Sequence, residues 1–142
     1  MTDLRFAKKQ YLGLRESFIK FLGKFEEESY FYQPTVKSNS TAWIVPHVSA
    51  FEKLMVTDKI PGYKFEEFIT EEDVAKYRPG ADGFSFGKQD MMNIDEAISL
   101  LLRTKEVSIH FLDDMIDEAT SVKDVDAQIT LDKYLFNFSH EN

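Results

Sequence analysis

The chain contains no cysteine among its 142 residues. Disulfide bonds, cysteine nucleophiles and thiolate metal ligands are therefore excluded, and the absence fits a reducing compartment. Histidine is almost as scarce, because only His47, His110 and His140 occur. A metal site with three or four protein ligands must therefore use nearly all of these histidines or recruit carboxylates.

Long apolar runs are also missing. No stretch of about 18 or more apolar residues is present, so the sequence predicts no membrane-spanning helix. The first residues, Met1 to Arg5, lack the apolar segment of a signal peptide, and we expect a cytoplasmic protein. Gly83 to Gly87 lacks the spacing of a phosphate-binding loop, and no Gly-x-Ser-x-Gly element suggests a serine hydrolase.

Basic residues are outnumbered, with 17 Lys and Arg against 25 Asp and Glu, which gives a net charge of -8. Proteins that bind DNA or RNA rely on clustered Lys and Arg that release counterions, so we expect no nucleic-acid partner. The acidic excess is typical of a surface that keeps a protein in solution. An acidic protein that blocks a basic target is a further hypothesis.

Apolar residues near the N-terminus recur every three or four positions, which indicates one face of a helix. The pattern predicts a first helix from Leu4 to about Ser29 or Tyr30, with Asp3 as its cap and Pro34 beyond its end. The apolar positions are Leu4, Ala7, Tyr11, Leu14, Phe18, Phe21, Leu22 and Phe25.

A second helix is predicted from Trp43 to about Lys59, where Pro61-Gly62 stops it. Proline is tolerated in the first turn of a helix, so Pro46 sets the start of this helix between Thr41 and Ile44. This start places His47 near the N-terminal end of the helix.

The stretch from Gly62 to Asp90 shows no sustained period, apart from a short helix predicted over Thr70 to Tyr77. A connection this long inside one domain usually covers something, and we expect Phe84 and Phe86 to close the open end of a bundle.

Two further helices are predicted toward the C-terminus. Asn93-Ile94-Asp95-Glu96 has the form of a capping box, and the helix that it opens runs to about Ala119. A last helix is predicted from Thr130 or Leu131 onward. Its inner face would carry Leu131, Tyr134, Leu135 and Phe138.

These elements predict an all-α fold, namely an up-down-type four-helix bundle with a long loop between the second and third helices. The length is that of a single domain, covering residues 1–142. Bundles with broad apolar faces commonly form dimers, so a homodimer is one predicted assembly.

The element from Ser40 to His47 has the pattern Ser-x-Ala-Trp-x-x-x-His, with Trp43 four residues before the histidine. It resembles the opening of the second helix in the DinB-like superfamily of helical-bundle metalloproteins. The C-terminal Ser139-His140-Glu141-Asn142 looks like the first half of its His-Glu-x-x-His-like element. No histidine follows His140, so this C-terminal metal motif is incomplete.

The resemblance implies a divalent metal, nickel or zinc, held by His47 and His140. It also implies transfer or hydrolysis on a small molecule, in some members with a thiol as co-substrate. We expect Trp43, Phe84 and Phe86 to wall the pocket. A carboxylate such as Glu52 or Asp114 is one candidate for a third ligand.

The same residues also have simpler interpretations. His47 is then a helix-start residue that donates to a neighbouring carbonyl, and Trp43 is a core anchor. His110 is interpreted as a partner of Asp113 or Asp114 at helical spacing. On this view the chain is a non-catalytic bundle that has lost its metal and acts through dimerisation or partner binding.

Overall fold

The computed structural model describes residues 4–35, 37–60 and 62–118, and all regular elements in these ranges are helical. The all-α prediction is therefore confirmed for the part of the chain that is described. The described ranges contain five α-helices: α1 (Leu4–Leu22), α2 (Glu27–Phe31), α3 (Thr41–Met55), α4 (Glu71–Tyr77) and α5 (Ile94–Glu118). Among them, none is both long enough and apolar enough to cross a membrane. The predicted last helix lies outside the described residues.

The first helix is shorter than the sequence predicts. α1 ends at Leu22 rather than near Ser29 or Tyr30, and the separate short helix α2 follows. Past this end the backbone tightens, because the amides of Lys24 and Phe25 donate to carbonyls only three residues back. Gly23, which lies at this end, is a poor helix former by about 1 kcal/mol relative to alanine. The apolar spacing continues through this break, so spacing alone does not detect it.

The starts of the other long helices agree with the predictions. α3 begins at Thr41, inside the predicted interval, whereas its end at Met55 precedes the predicted Lys59. The last residues of the predicted helix form a separate 3-10 turn, Thr57–Lys59. Pro46 was expected in the first turn of the helix but lies further inside α3. Because proline has no backbone N–H, α3 lacks one hydrogen bond to the preceding turn at this position.

Side-chain caps fix the starts of α4 and α5. The Thr70 hydroxyl accepts from the Asp73 amide at 3.1 Å, and the Asn93 side-chain oxygen accepts from the Glu96 amide at 2.8 Å. Both acceptors satisfy an amide of the first turn that has no partner within its own helix. The two helix starts predicted from cap residues are confirmed.

Contacts between side chains give the directions of the long helices. Lys8 pairs with Asp113 at 2.5 Å and Glu16 with Lys105 at 3.5 Å, so α1 and α5 are antiparallel. In contrast, α3 and α5 are parallel, because Thr104 donates to Ser49 at 3.1 Å while Ser108 contacts Glu52 one turn further along both helices.

This parallel arrangement differs from the predicted up-down-type bundle, in which consecutive helices are antiparallel, and it explains the long predicted connection. A chain that leaves the C-terminal end of α3 must return along the molecule before it can begin α5 in the same direction. Residues 56–93 make this return and contain α4 together with three 3-10 turns. The predicted loop between the second and third long helices is therefore confirmed, with α4 inside it.

A charged pair lies in the interior between α1, α3 and α5. The Arg15 guanidinium donates to Glu52 Oε2 at 2.8 Å, and both side chains are fully buried. The Tyr11 hydroxyl donates to Glu52 Oε1 at 3.0 Å, and the Ser108 hydroxyl contacts the same oxygen. Apolar side chains surround this network, among them Val56, Phe111 and Leu112. Glu52 therefore connects three helices through hydrogen bonds.

Candidate functional site

His47 lies on α3 and is half-buried against α4. Its Nδ1 is 2.8 Å from the carbonyl oxygen of Tyr77. Because a carbonyl only accepts, this nitrogen carries the proton and donates. In the neutral ring the lone pair then belongs to Nε2.

Trp43 holds the plane of the His47 ring. The two rings stack, with centroids 4.6 Å apart and an interplanar angle of 17°. The pair is one turn apart on α3, the spacing at which helix side chains meet. Trp43 is itself fixed, because its indole N–H donates to the Lys76 carbonyl at 3.2 Å.

The side-chain donors of Trp43 and His47 both bind carbonyls at the C-terminal end of α4. Lys76 and Tyr77 are the last two residues of α4, where backbone carbonyls have no amide partner in their own helix. Trp43 and His47 supply the missing donors from another helix. This pair of contacts joins the end of α4 to the first half of α3.

Gly83 packs directly on the Trp43 ring. A Cβ added at this position would lie 2.3 Å from Trp43 Cδ2, well inside the contact distance of two carbon atoms. Only glycine therefore fits at this point of the connection. Phe86 follows shortly after and packs, half-buried, against the same cluster as Trp43.

Phe84 is placed differently from the other aromatic residues predicted to line the pocket. Its side chain is 39% exposed, and its carbonyl accepts from the Gln33 side-chain amide at 3.1 Å. The structure thus brings Trp43, His47 and Phe86 into one region and leaves the Phe84 ring at the surface.

His140 lies outside the described residues. Within residues 4–35, 37–60 and 62–118, no group of three His, Cys, Asp or Glu side chains is arranged to hold a metal. Glu52, a candidate third ligand, is hydrogen-bonded to Arg15 in the interior. The other candidate, Asp114, accepts from the Tyr63 hydroxyl at 2.6 Å on the far half of α5.

His110 has the contact that its helical spacing predicts. Its Nε2 is 3.5 Å from Asp114 Oδ2, one turn along α5, and its side chain is 75% exposed. The neighbouring Asp113 pairs with Lys8 instead. His110 is therefore a surface residue, remote in sequence from His47 and unrelated to the α3–α4 contacts.

A groove of about 450 Å³ follows the boundary between α3 and α4. Leu54, two turns after His47 on the same side of α3, lines it together with Val74 and Ile69. Lys53, Glu71 and Arg78 give its rim both signs of charge. This groove was not predicted from the sequence, because it depends on how the short helix α4 packs against α3.

Two buried tyrosines lie near the starts of α3 and α5. Burial raises the pKa of Tyr77 above its ordinary value, although a hydrogen bond from the Met92 amide to its hydroxyl, at 3.0 Å, acts in the opposite direction. Burial also raises the pKa of Tyr30. Both phenols are therefore neutral at physiological pH and are unsuited to act as bases there.

Comparison of the chain with protein-family models, with curated proteins and with solved structures finds no match.

Proposed function

We propose that this chain is a cytoplasmic DinB-like bundle protein that binds a divalent metal, nickel or zinc, with His47 and His140 as ligands. The observation that carries the proposal is the 2.8 Å contact between His47 Nδ1 and the Tyr77 carbonyl oxygen. Histidines that ligate metals almost always donate their other ring N–H to a carbonyl or carboxylate, which fixes the tautomer. Nε2 is then the nitrogen available to a metal.

The residues around His47 fit the role of a ligand. Stacking on Trp43 restricts rotation of the imidazole ring, and the Tyr77 carbonyl holds the proton on Nδ1. A ligand held in one orientation loses less conformational freedom when it binds. Since the described residues contain no cluster of three ligands, the remaining ligands in this proposal come from residues 119–142, which include His140.

The proposed activity is transfer or hydrolysis on a small molecule, with a thiol as one class of co-substrate. A divalent metal at His47 would supply Lewis-acid chemistry. The α3–α4 groove offers apolar contacts from Leu54 and Val74 and charged groups at its rim. Trp43 and Phe86 would exclude water from the side of the site that faces the core, and Phe84 would face the solvent.

The test is the metal content of untagged protein, measured by elemental mass spectrometry after incubation with excess nickel or zinc. The key variant is His47→Asn, because an asparagine amide can still donate to the Tyr77 carbonyl but offers nothing in place of Nε2. His110→Asn, at an exposed histidine of α5, is the matched control.

We expect near-stoichiometric metal in the parent and in His110→Asn, and loss of metal in His47→Asn and His140→Asn. A metal-free parent would overturn the proposal. Equal metal content in His47→Asn and in the parent would show that His47 is not a ligand.

A second candidate function is a non-catalytic bundle that acts through dimerisation or partner binding. It is favoured by the contacts of Trp43 and His47 with the last carbonyls of α4, because these contacts account for both residues without any metal. In that case His47→Asn would keep its stability and no variant would change metal content. Sedimentation equilibrium would then be expected to show a dimer.

A further inference from the structure

A second cavity lies between α5 and residues 63–66. Its volume is about 260 Å³, and it shares no lining residue with the α3–α4 groove. Pockets for drug-sized ligands enclose about 300–1,000 Å³, so this cavity fits a smaller molecule, of the size of a single metabolite. Its lining residues on α5 have the spacing of one helical face and are Arg103, Glu106, Val107 and His110.

Two polar contacts hold residues 63–66 against α5. The Tyr63 hydroxyl donates to Asp114 at 2.6 Å, and at the other end Glu66 accepts from Arg103 at 2.8 Å. The two attachment points on α5 are about 16 Å apart at the helical rise, whereas three peptide steps span at most about 11 Å. Long side chains therefore bridge the difference, and the part of α5 between the two contacts lines the cavity.

The apolar part of the lining consists of two aromatic rings and a valine. The Tyr63 and Phe65 rings meet edge to face with their centroids 4.6 Å apart. Both also contact the buried Phe111 ring, at 4.8 and 5.1 Å, which fixes their positions. Val107 is buried beside them. This surface is suited to an apolar or aromatic group of a ligand, because rings pack well edge to face on one another.

The charged part of the lining is balanced. Lys64 and Arg103 are positive, while Glu66 and Glu106 are negative, although the whole chain carries a net charge of -8. A ligand with one charge is attracted by one pair and repelled by the other, so it gains little electrostatic energy. A zwitterion can place each of its charges next to an opposite one.

Arg103 and Glu106 both have capacity to bind a ligand. A guanidinium has five N–H donors, and the two ion pairs of Arg103 use its Nη1 and Nη2 atoms. The contact from Arg103 to Glu106 is 3.5 Å, longer than the range of about 2.7–3.2 Å for N–H···O hydrogen bonds. The Glu106 carboxylate is therefore only weakly engaged, and its side chain is 71% exposed.

We propose that this cavity binds a free α-amino acid with an apolar or aromatic side chain. The carboxylate of the ligand accepts from Arg103 and Lys64, and its ammonium group donates to Glu106. The side chain of the ligand packs on Tyr63 and Val107. No metal takes part in this binding, so this inference stands or falls separately from the proposed function.

The probe is L-phenylalanine, titrated into the full chain with a metal chelator present. It is compared with 2-phenylethylamine, which keeps only the ammonium group, and with 3-phenylpropionate, which keeps only the carboxylate. Proton–nitrogen NMR gives the affinities, and the amides of residues 63–66 and 103–110 report on the site. The key variant is Arg103→Met, whose side chain is 47% exposed in the parent, so the fold should be retained. Arg78→Met, in the α3–α4 groove, is the matched control.

We expect L-phenylalanine to bind at least about tenfold more tightly than either analogue, because each analogue lacks one charge-assisted contact. Arg103→Met should weaken binding of L-phenylalanine by a similar factor, and Arg78→Met should leave it unchanged. Glu106→Gln should weaken binding of L-phenylalanine but strengthen that of 3-phenylpropionate, because it removes a repelling charge. A structural role of Glu106 alone would weaken both.

Three outcomes would overturn the proposal. The first is the absence of shift changes in the parent with L-phenylalanine in millimolar excess. The second is equal affinity for the three compounds, which would show that only the phenyl ring is recognised. The third is loss of binding in Arg78→Met but not in Arg103→Met, which would place the ligand in the α3–α4 groove.

Discussion

Arg15 provides the most informative single perturbation of this fold. Its guanidinium is fully buried and donates to Glu52 at 2.8 Å, while Tyr11 and Ser108 contact the other carboxylate oxygen. Arg15→Met keeps a long apolar side chain and removes the charge. The Glu52 carboxylate then remains in the interior without its cationic partner, which is an expensive arrangement at low dielectric.

The expected loss of unfolding free energy is about 3–5 kcal/mol, the range found when one partner of a buried ion pair is removed. Single domains are stable by about 5–15 kcal/mol, so this variant would lose a large part of its stability. With a urea dependence of about 2 kcal/mol per molar, the unfolding midpoint would fall by about 2 M.

The double variant Arg15→Met with Glu52→Gln separates charge from packing. Glutamine keeps an oxygen that accepts from Tyr11 and Ser108 but carries no charge. We therefore expect the double variant to be more stable than Arg15→Met alone. Lys8→Met is the control, because the Lys8–Asp113 pair is partly exposed and such pairs contribute about 0–1 kcal/mol.

Urea unfolding can be followed by the fluorescence of Trp43, the only tryptophan, which is buried between α3, α4 and α5. If Arg15→Met were no more destabilising than Lys8→Met, the buried pair would not contribute the stability assigned to it. A further loss of stability on adding Glu52→Gln to Arg15→Met would show that the unpaired charge of Glu52 is not the cause of the destabilisation.

Three other predictions follow from single contacts, and each is checked by urea unfolding. Gly83→Ala places a Cβ against Trp43, and the forced shift should cost about 1–3 kcal/mol, whereas Gly13→Ala, with no atom within 4 Å, should not destabilise. Asn93→Ala removes the cap of α5 and should lower the free energy of unfolding by about 1 kcal/mol, whereas Asn93→Asp should retain most of the stability that the cap contributes. Tyr30 and Tyr77 should contribute fully to stability below about pH 10, and this contribution should fall as pH rises further, because the unfolded chain ionises its tyrosines before these buried phenols, whose pKa is raised, can ionise. Tyr30→Phe should weaken that alkaline loss, and an unchanged pH profile would contradict the assignment.

The sequence predicted the features that depend on residues close together in the chain, such as helix caps and contacts one turn apart. Asn93 and Thr70 mark the starts of α5 and α4 because a cap acts within three residues of its own position. The contact of Trp43 with His47 follows from their spacing of four residues on α3. The parallel direction of α3 and α5 was not predicted, because the sequence indicated an up-down-type bundle, in which consecutive helices are antiparallel.

Features that depend on tertiary packing were missed. Arg15 and Glu52 occupy inner positions of their helices, but a charged residue in a helical pattern is normally assigned to the surface. Donation from His47 to a carbonyl is the simpler interpretation made from the sequence and is confirmed, but that the acceptors of Trp43 and His47 lie at the end of α4 was not predicted, because backbone carbonyls carry no sequence signal. The contribution of His140 stays a prediction, because it lies outside the described residues.

The two contacts between α3 and the end of α4 also bear on how the chain folds. α3 and α5 can pack in parallel only after residues 56–93 have closed a long loop, and closure becomes entropically more costly as a loop lengthens. Once Trp43 and His47 bind the end of α4, this single closure becomes two shorter ones, residues 56–70 and 78–93. We therefore expect α4 to dock on α3 before α5 does, so that the hydrogen bond from the Trp43 indole to the Lys76 carbonyl forms before the α5 contacts with Glu52.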